Sequence, residues 1–220
     1  MVPAQVASTP RWSTVLFDLD GTLINSIPLI IESFQHTFDH FTDASPPVGE
    51  IRSWIGLTLE DTFAPFAGAN IQEWVQVYRG YNRALHDERV SAFAGMPELV
   101  NDLLSTGCVA GVVTAKYPDL AQRGLVLTGF PTLDPLIGNG DVLRNKPAPD
   151  PILKAMELAK AEPHTTVYIG DAGTDILAGQ AAGVDTIGVT WGAGERAQLD
   201  TAAPTQIATS VAELRAMLLS

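Results

Sequence analysis

The sequence contains little cysteine, few basic residues and no long hydrophobic run. Its 220 residues include one cysteine, Cys108, which excludes an internal disulfide. With 13 basic against 25 acidic residues the formal net charge is −12, which argues against a nucleic acid or an anionic membrane as the main partner. No stretch approaches the roughly 18 apolar residues of a transmembrane helix. Residues 1–10 also lack the pattern of a signal peptide, so we expect a cytoplasmic protein.

The composition is that of a folded globular protein. Hydrophobic residues make up 46% of the chain and charged residues 17%, which favours a buried core over disorder. The length suits one domain of ordinary size together with a small inserted one.

Short β-branched runs alternate with helical segments along most of the chain. Strands are expected over 14–17, 109–114, 166–170 and 186–190, with a weaker candidate over 133–137 that Pro135 interrupts. Helices are expected over 97–105, 117–128, 173–182 and 211–219, and a further one from residue 150. This alternation predicts an α/β fold with a Rossmann-like, doubly wound parallel sheet.

One long segment departs from the alternation and contains helical patterns only. Ile30, Phe34, Phe38 and Phe41 fall on one helical stripe, and a loop is expected around residues 45–47. We therefore predict an all-helical insert over residues 25–91, between the two parts of a core at 1–24 and 92–220.

Two carboxylates follow the first predicted strand. Asp18 and Asp20 stand two residues apart, at a strand end where open α/β sheets bind their ligands. Like charges this close raise a pKa or recruit a cation. A solvated acidic turn, used only for its backbone shape, is the alternative at this point.

The other strand ends carry complementary groups. Thr114, with Ala115 and Lys116, precedes a predicted helix N-terminus, which favours anions. Lys146 stands in a proline-rich segment, and Asp171 follows the strand that ends at Gly170. Acids, a hydroxyl and a lysine at neighbouring strand ends fit a phosphate bound beside a divalent cation.

These motifs, in this order, resemble those of the haloacid dehalogenase superfamily phosphatases. The matching residues are 18–22, Thr114, Lys146 and the Gly-Asp-x-x-x-Asp of 170–175. The helical insert is similar to the small C1-type cap of the phosphoglycolate phosphatase-like branch. Within that branch, residues 78–95 are more similar to the bacterial inorganic pyrophosphatases.

The resemblance implies hydrolysis of a small phosphorylated metabolite by two-step phosphoryl transfer. Asp18 would attack phosphorus to form an aspartyl-phosphate, and Asp20 would act as the acid and then the base. Mg²⁺ would be held by the Asp18 and Asp171 carboxylates and by the main-chain carbonyl of Asp20. Thr114 and Lys146 would bind the phosphate oxygens.

Further residues take supporting roles by the same resemblance. Gly21, Thr22 and Ala115 would contact the substrate within their motifs, and Asp175 would orient the motif lysine or a metal-bound water. Arg52 lies in an expected loop that a cap could direct at the site. Arg79 and Arg83, four residues apart on a predicted helix, are expected at the surface.

Several functions stay open. Phosphoglycolate phosphatase-like activity leads, with inorganic pyrophosphatase as the alternative. A β-phosphoglucomutase-like phosphomutase is disfavoured because the first helix of the insert has no lysine or arginine. A protein that binds a phosphorylated metabolite without catalysis is the last alternative, disfavoured by the complete acid set. We expect a monomer or a homodimer.

Overall fold

The computed structural model describes residues 11–219. Eight strands are present in this range: β1 (Thr14–Phe17), β2 (Ile24–Asn25), β3 (Ser91–Ala92), β4 (Val109–Val113), β5 (Leu136–Ile137), β6 (Thr166–Gly170), β7 (Asp185–Val189) and β8 (Gln206–Ala208). Six of them form one sheet in the order β5-β4-β1-β6-β7-β8, and all its pairs are parallel.

The order of the strands locates the ligand-binding edge of the sheet. The chain adds β4 and β5 on one side of β1, and β6, β7 and β8 on the other. Thr14 is in register with both Val109 and Thr166, so the carboxyl ends of the three central strands lie at the same level. A reversal of strand order at β1 opens a crevice at that edge.

Ten α-helices complete the described chain: α1 (Ile27–Phe41), α2 (Val48–Trp54), α3 (Leu59–Ala67), α4 (Ile71–Arg89), α5 (Met96–Ser105), α6 (Pro118–Leu127), α7 (Asp150–Ala159), α8 (Gly173–Ala181), α9 (Arg196–Ala202) and α10 (Val211–Leu219). Val15 and Phe17 of β1 join one apolar cluster with Leu99 of α5, whereas Leu16 joins a second with Ile152 of α7. Alternate side chains of β1 are thus buried under helices on opposite faces of the sheet.

Helices α1 to α4 pack on one another and are here called the cap; the sheet and the remaining helices are called the core. The cap is organised around aromatic rings, with the centroid of Phe38 5.1 Å from Trp74 and that of Phe34 5.5 Å from Phe63. The chain enters and leaves the cap through β2 and β3, which pair antiparallel. The two chain segments that connect the cap to the core therefore lie side by side.

The predicted fold class is confirmed. The strands expected at 14–17 and 166–170 have those bounds, and Pro135 leaves β5 only two residues long. Helices α2 and α9 and the short strands β2, β3 and β8 are not predicted. The prolines of 45–47, interpreted as a loop, directly precede α2, whose N-cap is Pro47.

Two predictions from the sequence stay predictions. The division into 1–24, 25–91 and 92–220 stays a prediction, and the argument against a signal peptide concerns residues 1–10, outside the described range. Within residues 11–219, none of the helices has the length and apolarity needed to span a membrane.

Candidate active site

The loop after β1 carries the first carboxylates of the predicted site. The amide of Asp18 donates to the Ile169 carbonyl of β6, and the Asp18 side chain is buried. Gly21 turns the chain with a φ of +88°, a conformation that favours glycine. A Cβ on Gly21 would overlap the Asp171 carboxylate. The turn therefore brings this loop directly against the residue that follows β6.

Lys146 lies between Asp18 and Asp175. Its Nζ is 2.9 Å from Oδ1 of Asp18 and 2.6 Å from Oδ1 of Asp175, and it donates to the Tyr168 hydroxyl at 3.1 Å. Burial acts to lower the pKa of Lys146, but Asp175 and Asp18 outweigh it and raise the pKa well above its ordinary value. Lys146 is therefore a fixed positive charge at the bottom of the site.

The neighbouring acids carry more negative charge than this one lysine offsets. Burial, followed by the charge of Asp175, raises the pKa of Asp171 to about 6. Burial likewise raises the pKa of Asp18 well above its ordinary value, against the opposing effect of Lys146. Buried like charges of this kind are stabilised by a bound cation.

Three buried carboxylates offer oxygens to a single cation. Ligand atoms of Asp18, Asp171 and Asp175 lie within 4.8 Å of one another. Asp175 is already engaged, because it accepts hydrogen bonds from Lys146 at 2.6 Å and from the Tyr168 hydroxyl at 3.2 Å. Asp171 also accepts hydrogen bonds, from the Thr22 hydroxyl and from the Ala193 and Gly194 amides, so the acids of this cluster are held in place by donors on several sides. Carboxylate oxygens suit a hard divalent ion, so this donor set fits Mg²⁺.

Asp20 points away from these three acids. Its Oδ1 accepts a hydrogen bond from the Ser26 hydroxyl at 2.5 Å and pairs with Nζ of Lys116 at 2.5 Å. These bonds hold the carboxylate in one orientation on the cavity wall. They leave unused the main-chain carbonyl through which the resemblance assigns Asp20 to the metal.

Thr114 lies at the carboxyl end of β4, beside the same cavity. Its amide donates to the Ile137 carbonyl at 2.9 Å, and its hydroxyl oxygen accepts from the Lys116 amide at 3.1 Å. The hydroxyl proton is therefore free to be donated to an anion. Ala115 follows on the same wall.

The cavity between cap and core has a volume of about 90 Å³. Its core side includes Asp18, Asp20 and Thr114, and most of its cap side is apolar. The apolar residues on the cap side are Ile30, Phe34, Trp54, Ile55, Leu57 and Leu59. Two reactive carboxylates thus lie at the base of a small, largely apolar chamber.

Two arginines of α4, for which the sequence predicted surface positions, also line this cavity; Arg83 is exposed and Arg79 is partly buried. The guanidinium of Arg79 stacks on the Tyr117 ring at 4.1 Å and pairs with Glu60 at 3.2 Å. Arg83 pairs with Asp119 of the core at 2.6 Å. Both therefore face the cavity that Asp18 and Asp20 also line.

Arg52 lies elsewhere than the sequence predicted. It belongs to helix α2 rather than to a loop, and it is not among the residues that line the cavity. Its Nη2 donates to the carbonyl of Gly192 in the core at 3.0 Å. The expectation that Arg52 contacts substrate therefore finds no support in this arrangement.

The remaining predicted residues lie behind the cavity wall. Thr22 is buried, and its hydroxyl donates to Oδ1 of Asp171 at 3.1 Å. Gly21 supplies the turn described above. Neither lines the cavity, so in this arrangement both support the carboxylates of the site. The catalytic, binding and metal roles of all these residues stay predictions.

Known proteins with the same organisation include pyrophosphatases. The chain is 37% identical over 207 residues to the pyrophosphatase PpaX of Bacillus mycoides, covering 94% of this chain and 96% of the relative. It is 41% identical over 180 residues to the pyrophosphatase PpaX of Bacillus pumilus, covering 81% and 83%.

Solved structures and a family match agree with these relatives. A haloacid dehalogenase-like hydrolase of Bacteroides fragilis superposes with a TM-score of 0.86 at 26% identity, covering 92% of this chain and 99% of that one. Residues 15–189 match the family described as haloacid dehalogenase-like hydrolase. The motifs, the fold and these matches agree: the chain belongs to the haloacid dehalogenase-like hydrolases, as a phosphatase of that superfamily.

Proposed function

We propose that this chain is a Mg²⁺-dependent hydrolase of inorganic pyrophosphate that works through a phosphorylated Asp18. The observation that carries the proposal is a group of three cationic side chains on the cavity wall. Arg79, Arg83 and Lys116 line the same cavity as Asp18 and Asp20, and each is paired with a carboxylate. Charged donors of this kind suit a leaving group that is itself an anion.

Arg79 has a donor available for such an anion. Its guanidinium is held by Glu60 and Tyr117, but within residues 11–219 its buried Nε has no hydrogen-bond partner. A buried donor without a partner is costly, and a bound ligand oxygen would satisfy it. The phosphate that leaves pyrophosphate offers several such oxygens.

The size of the cavity and the names of the relatives point the same way. About 90 Å³ is well below the roughly 300–1,000 Å³ of sites that hold drug-sized molecules. A leaving group as compact as phosphate fits this volume better than a nucleoside. Relatives that share 37% and 41% of aligned residues are named pyrophosphatases.

The first chemical step transfers a phosphoryl group to the enzyme. A carboxylate oxygen of Asp18 attacks one phosphorus of pyrophosphate, and the bond from that phosphorus to the bridging oxygen breaks. The bridging oxygen keeps the electron pair and takes a proton from Asp20, and Arg79 and Lys116 stabilise the departing phosphate. Lys146 and Thr114 hold the oxygens of the transferred group, and Mg²⁺, when bound, neutralises part of their charge.

The second step regenerates the acid. A water molecule gives a proton to Asp20 and attacks the phosphorus of the aspartyl-phosphate. The bond between phosphorus and the Asp18 oxygen breaks, which releases the second phosphate and the free carboxylate. Ser26 and Lys116 keep Asp20 in one orientation for this proton transfer.

Phosphoglycolate phosphatase-like activity is the second candidate. The same cationic wall could receive the carboxylate of 2-phosphoglycolate, which is also a small anion. Its leaving group is an alkoxide that must be protonated, whereas phosphate leaves as an anion. The two substrates therefore differ in how much they depend on Asp20 as an acid in the first step.

The test is Mg²⁺-dependent phosphate release from pyrophosphate, 2-phosphoglycolate, sugar phosphates and nucleotides, with Asp18→Asn as the blank. We expect the largest kcat/KM for pyrophosphate. A larger value for 2-phosphoglycolate would move the assignment to the second candidate. No release above the blank from any compound would favour a protein that binds a phosphorylated ligand without catalysis.

Other proposals complete this assignment. A phosphomutase remains disfavoured, since α1 carries no lysine or arginine. A cytoplasmic location and a monomeric or homodimeric state stay predictions from the sequence.

A further inference from the structure

The loop that follows β7 touches both the cap and the predicted metal site. We call residues 190–194, from Thr190 to Gly194, the 190–194 loop. Its Trp191 donates from Nε1 to the Thr22 carbonyl at 3.2 Å, which anchors the loop to the segment after β1. Ala193 is buried and belongs to the apolar cluster of the cap. The loop is therefore part of the boundary between the two units.

The same loop holds the carboxylate of Asp171. The amide of Ala193 donates to Oδ2 of Asp171 at 2.7 Å, and the amide of Gly194 lies 3.4 Å from the same oxygen. A Cβ on Gly192 would overlap this carboxylate, and one on Gly194 would overlap the Asp171 main chain. The loop backbone lies directly against Asp171 and limits the positions its carboxylate can take.

Arg52 reaches this loop from the cap. Its Nη2 donates to the carbonyl of Gly192 at 3.0 Å. That carbonyl and the amide of Ala193 belong to the same peptide unit, which is planar. One rigid group thus accepts a hydrogen bond from Arg52 at one end and donates one to Asp171 at the other.

We propose that Arg52 is a positioning residue that orients Asp171 through the Gly192–Ala193 peptide. A charged donor on a carbonyl polarises the peptide and strengthens its amide as a donor. The position of α2 is thereby coupled to the affinity of the core for its divalent cation. This inference rests on the proposed function, in which Asp171 is a Mg²⁺ ligand.

The proposal is tested by Mg²⁺ titration of the full chain without substrate, followed by intrinsic tryptophan fluorescence and by the Mg²⁺-dependent shift in Tm. Removing a group that orients a metal ligand typically weakens binding 10- to 100-fold, so Arg52→Met should raise the Mg²⁺ dissociation constant about tenfold. At saturating Mg²⁺ the KM for pyrophosphate should stay at the wild-type value.

Companion variants separate the effect of the hydrogen bond from Arg52 to Gly192, here called the relay because it acts on Asp171 through a peptide, from other effects. Arg52→Lys can still reach the Gly192 carbonyl and should recover most of the affinity, whereas Arg52→Gln is too short and should behave as Arg52→Met. If Arg52→Met does not fold, Arg52→Gln takes its place. Arg123→Met is the matched control, because it removes a cap-to-core ion pair, with Asp87 at 2.7 Å, away from the loop.

Four results would overturn the proposal. A raised KM for pyrophosphate with unchanged Mg²⁺ affinity would make Arg52 a substrate contact instead. An equal loss of affinity in Arg123→Met would attribute the effect to a loosened cap. Asp171→Asn separates the two assignments: if it leaves Mg²⁺ binding unchanged, the metal assignment fails with the relay. If it weakens binding and Arg52→Met does not, only the relay fails.

Discussion

The core and the cap hold their charged groups in opposite ways. Around Asp18, the partners Lys146, Asp171 and Asp175 are all buried, and Lys146 pairs with both Asp18 and Asp175. On the cap side, Arg83 remains half-exposed. The core fixes a few charges in a low-dielectric setting, where each has a large effect on the others.

This difference assigns separate tasks to the two units. Fixed, buried charges suit a reaction that must stabilise the same transferring phosphoryl group in every turnover. Long side chains at a partly exposed wall suit the recognition of a leaving group. We therefore expect the core to carry out the chemistry and the cap to select the substrate.

Replacing the nucleophile should have the largest effect. Asp18→Asn should lower kcat by at least about 10⁴-fold, as removal of a nucleophile does in other enzymes with covalent intermediates. Phosphate release under saturating Mg²⁺ measures this. Asp200→Asn replaces an exposed aspartate that pairs with Arg196 at 2.8 Å; it is the control and should keep wild-type turnover. A rate within tenfold of wild type for Asp18→Asn would contradict the core assignment.

Removing the buried lysine should damage stability as well as activity. Lys146→Met leaves Asp18 and Asp175 without their positive partner, and breaking a buried pair costs roughly 3–5 kcal/mol of unfolding free energy. Urea denaturation without Mg²⁺ measures it, with the exposed Lys154→Met as the control. The double variant Lys146→Met/Asp175→Asn should recover part of the loss. Equal stabilities for Lys146→Met and Lys154→Met would show that the core charges are not coupled as described.

A cap arginine should affect substrate choice more than stability. Arg79→Met removes the proposed donor to the leaving phosphate, and a charge-assisted hydrogen bond of about 1.5–3 kcal/mol corresponds to roughly a 10- to 150-fold loss in kcat/KM for pyrophosphate. Arg89→Met removes a cap arginine that pairs with Glu32 at 3.0 Å, and should leave kcat/KM unchanged. Similar losses in Arg79→Met for pyrophosphate and for the phosphate ester of an uncharged sugar would contradict a role in selecting the leaving group.

The smallest effect is expected at the base of the cap. Burial lowers the pKa of His86 below its ordinary value, and nearby Lys116 acts in the same direction, against the bond to Asp87. The unfolded chain therefore binds a proton at His86 more readily than the folded chain does, so this group lowers the stability as the pH falls below about 6.5. The raised pKa values of Asp18 and Asp171 act in the opposite direction in both proteins. His86→Gln should therefore become more stable relative to the wild type as the pH falls. Urea denaturation at several pH values measures the difference, and parallel curves would contradict it.

The residues of the core site could be predicted because they follow strand ends. Asp18, Thr114 and Asp171 come directly after short apolar runs, and parallel strands bring their carboxyl ends to one edge. The periodicity of the runs and the spacing of the motifs are local features. A single sequence contains both.

The roles of the cap arginines could not be predicted in the same way. The spacing of Arg79 and Arg83 places them on one face of a helix, but which face turns to the core depends on how four helices pack. Arg52 depends on a contact with Gly192, 140 positions away. No motif or periodicity near Arg52 indicates that contact. The prolines before α2 favoured a loop, so the helix was not predicted.

The most direct test of the account is to trap the phosphorylated core. Wild-type enzyme mixed with labelled pyrophosphate and Mg²⁺ is quenched in acid within one turnover, and its peptides are analysed by mass spectrometry. We expect a phosphoryl group on Asp18 of the wild-type enzyme and none at this position in Asp18→Asn. Rapid phosphate release with no labelled peptide, together with turnover by Asp18→Asn, would show that water attacks pyrophosphate directly. This result would contradict the proposed covalent intermediate on Asp18.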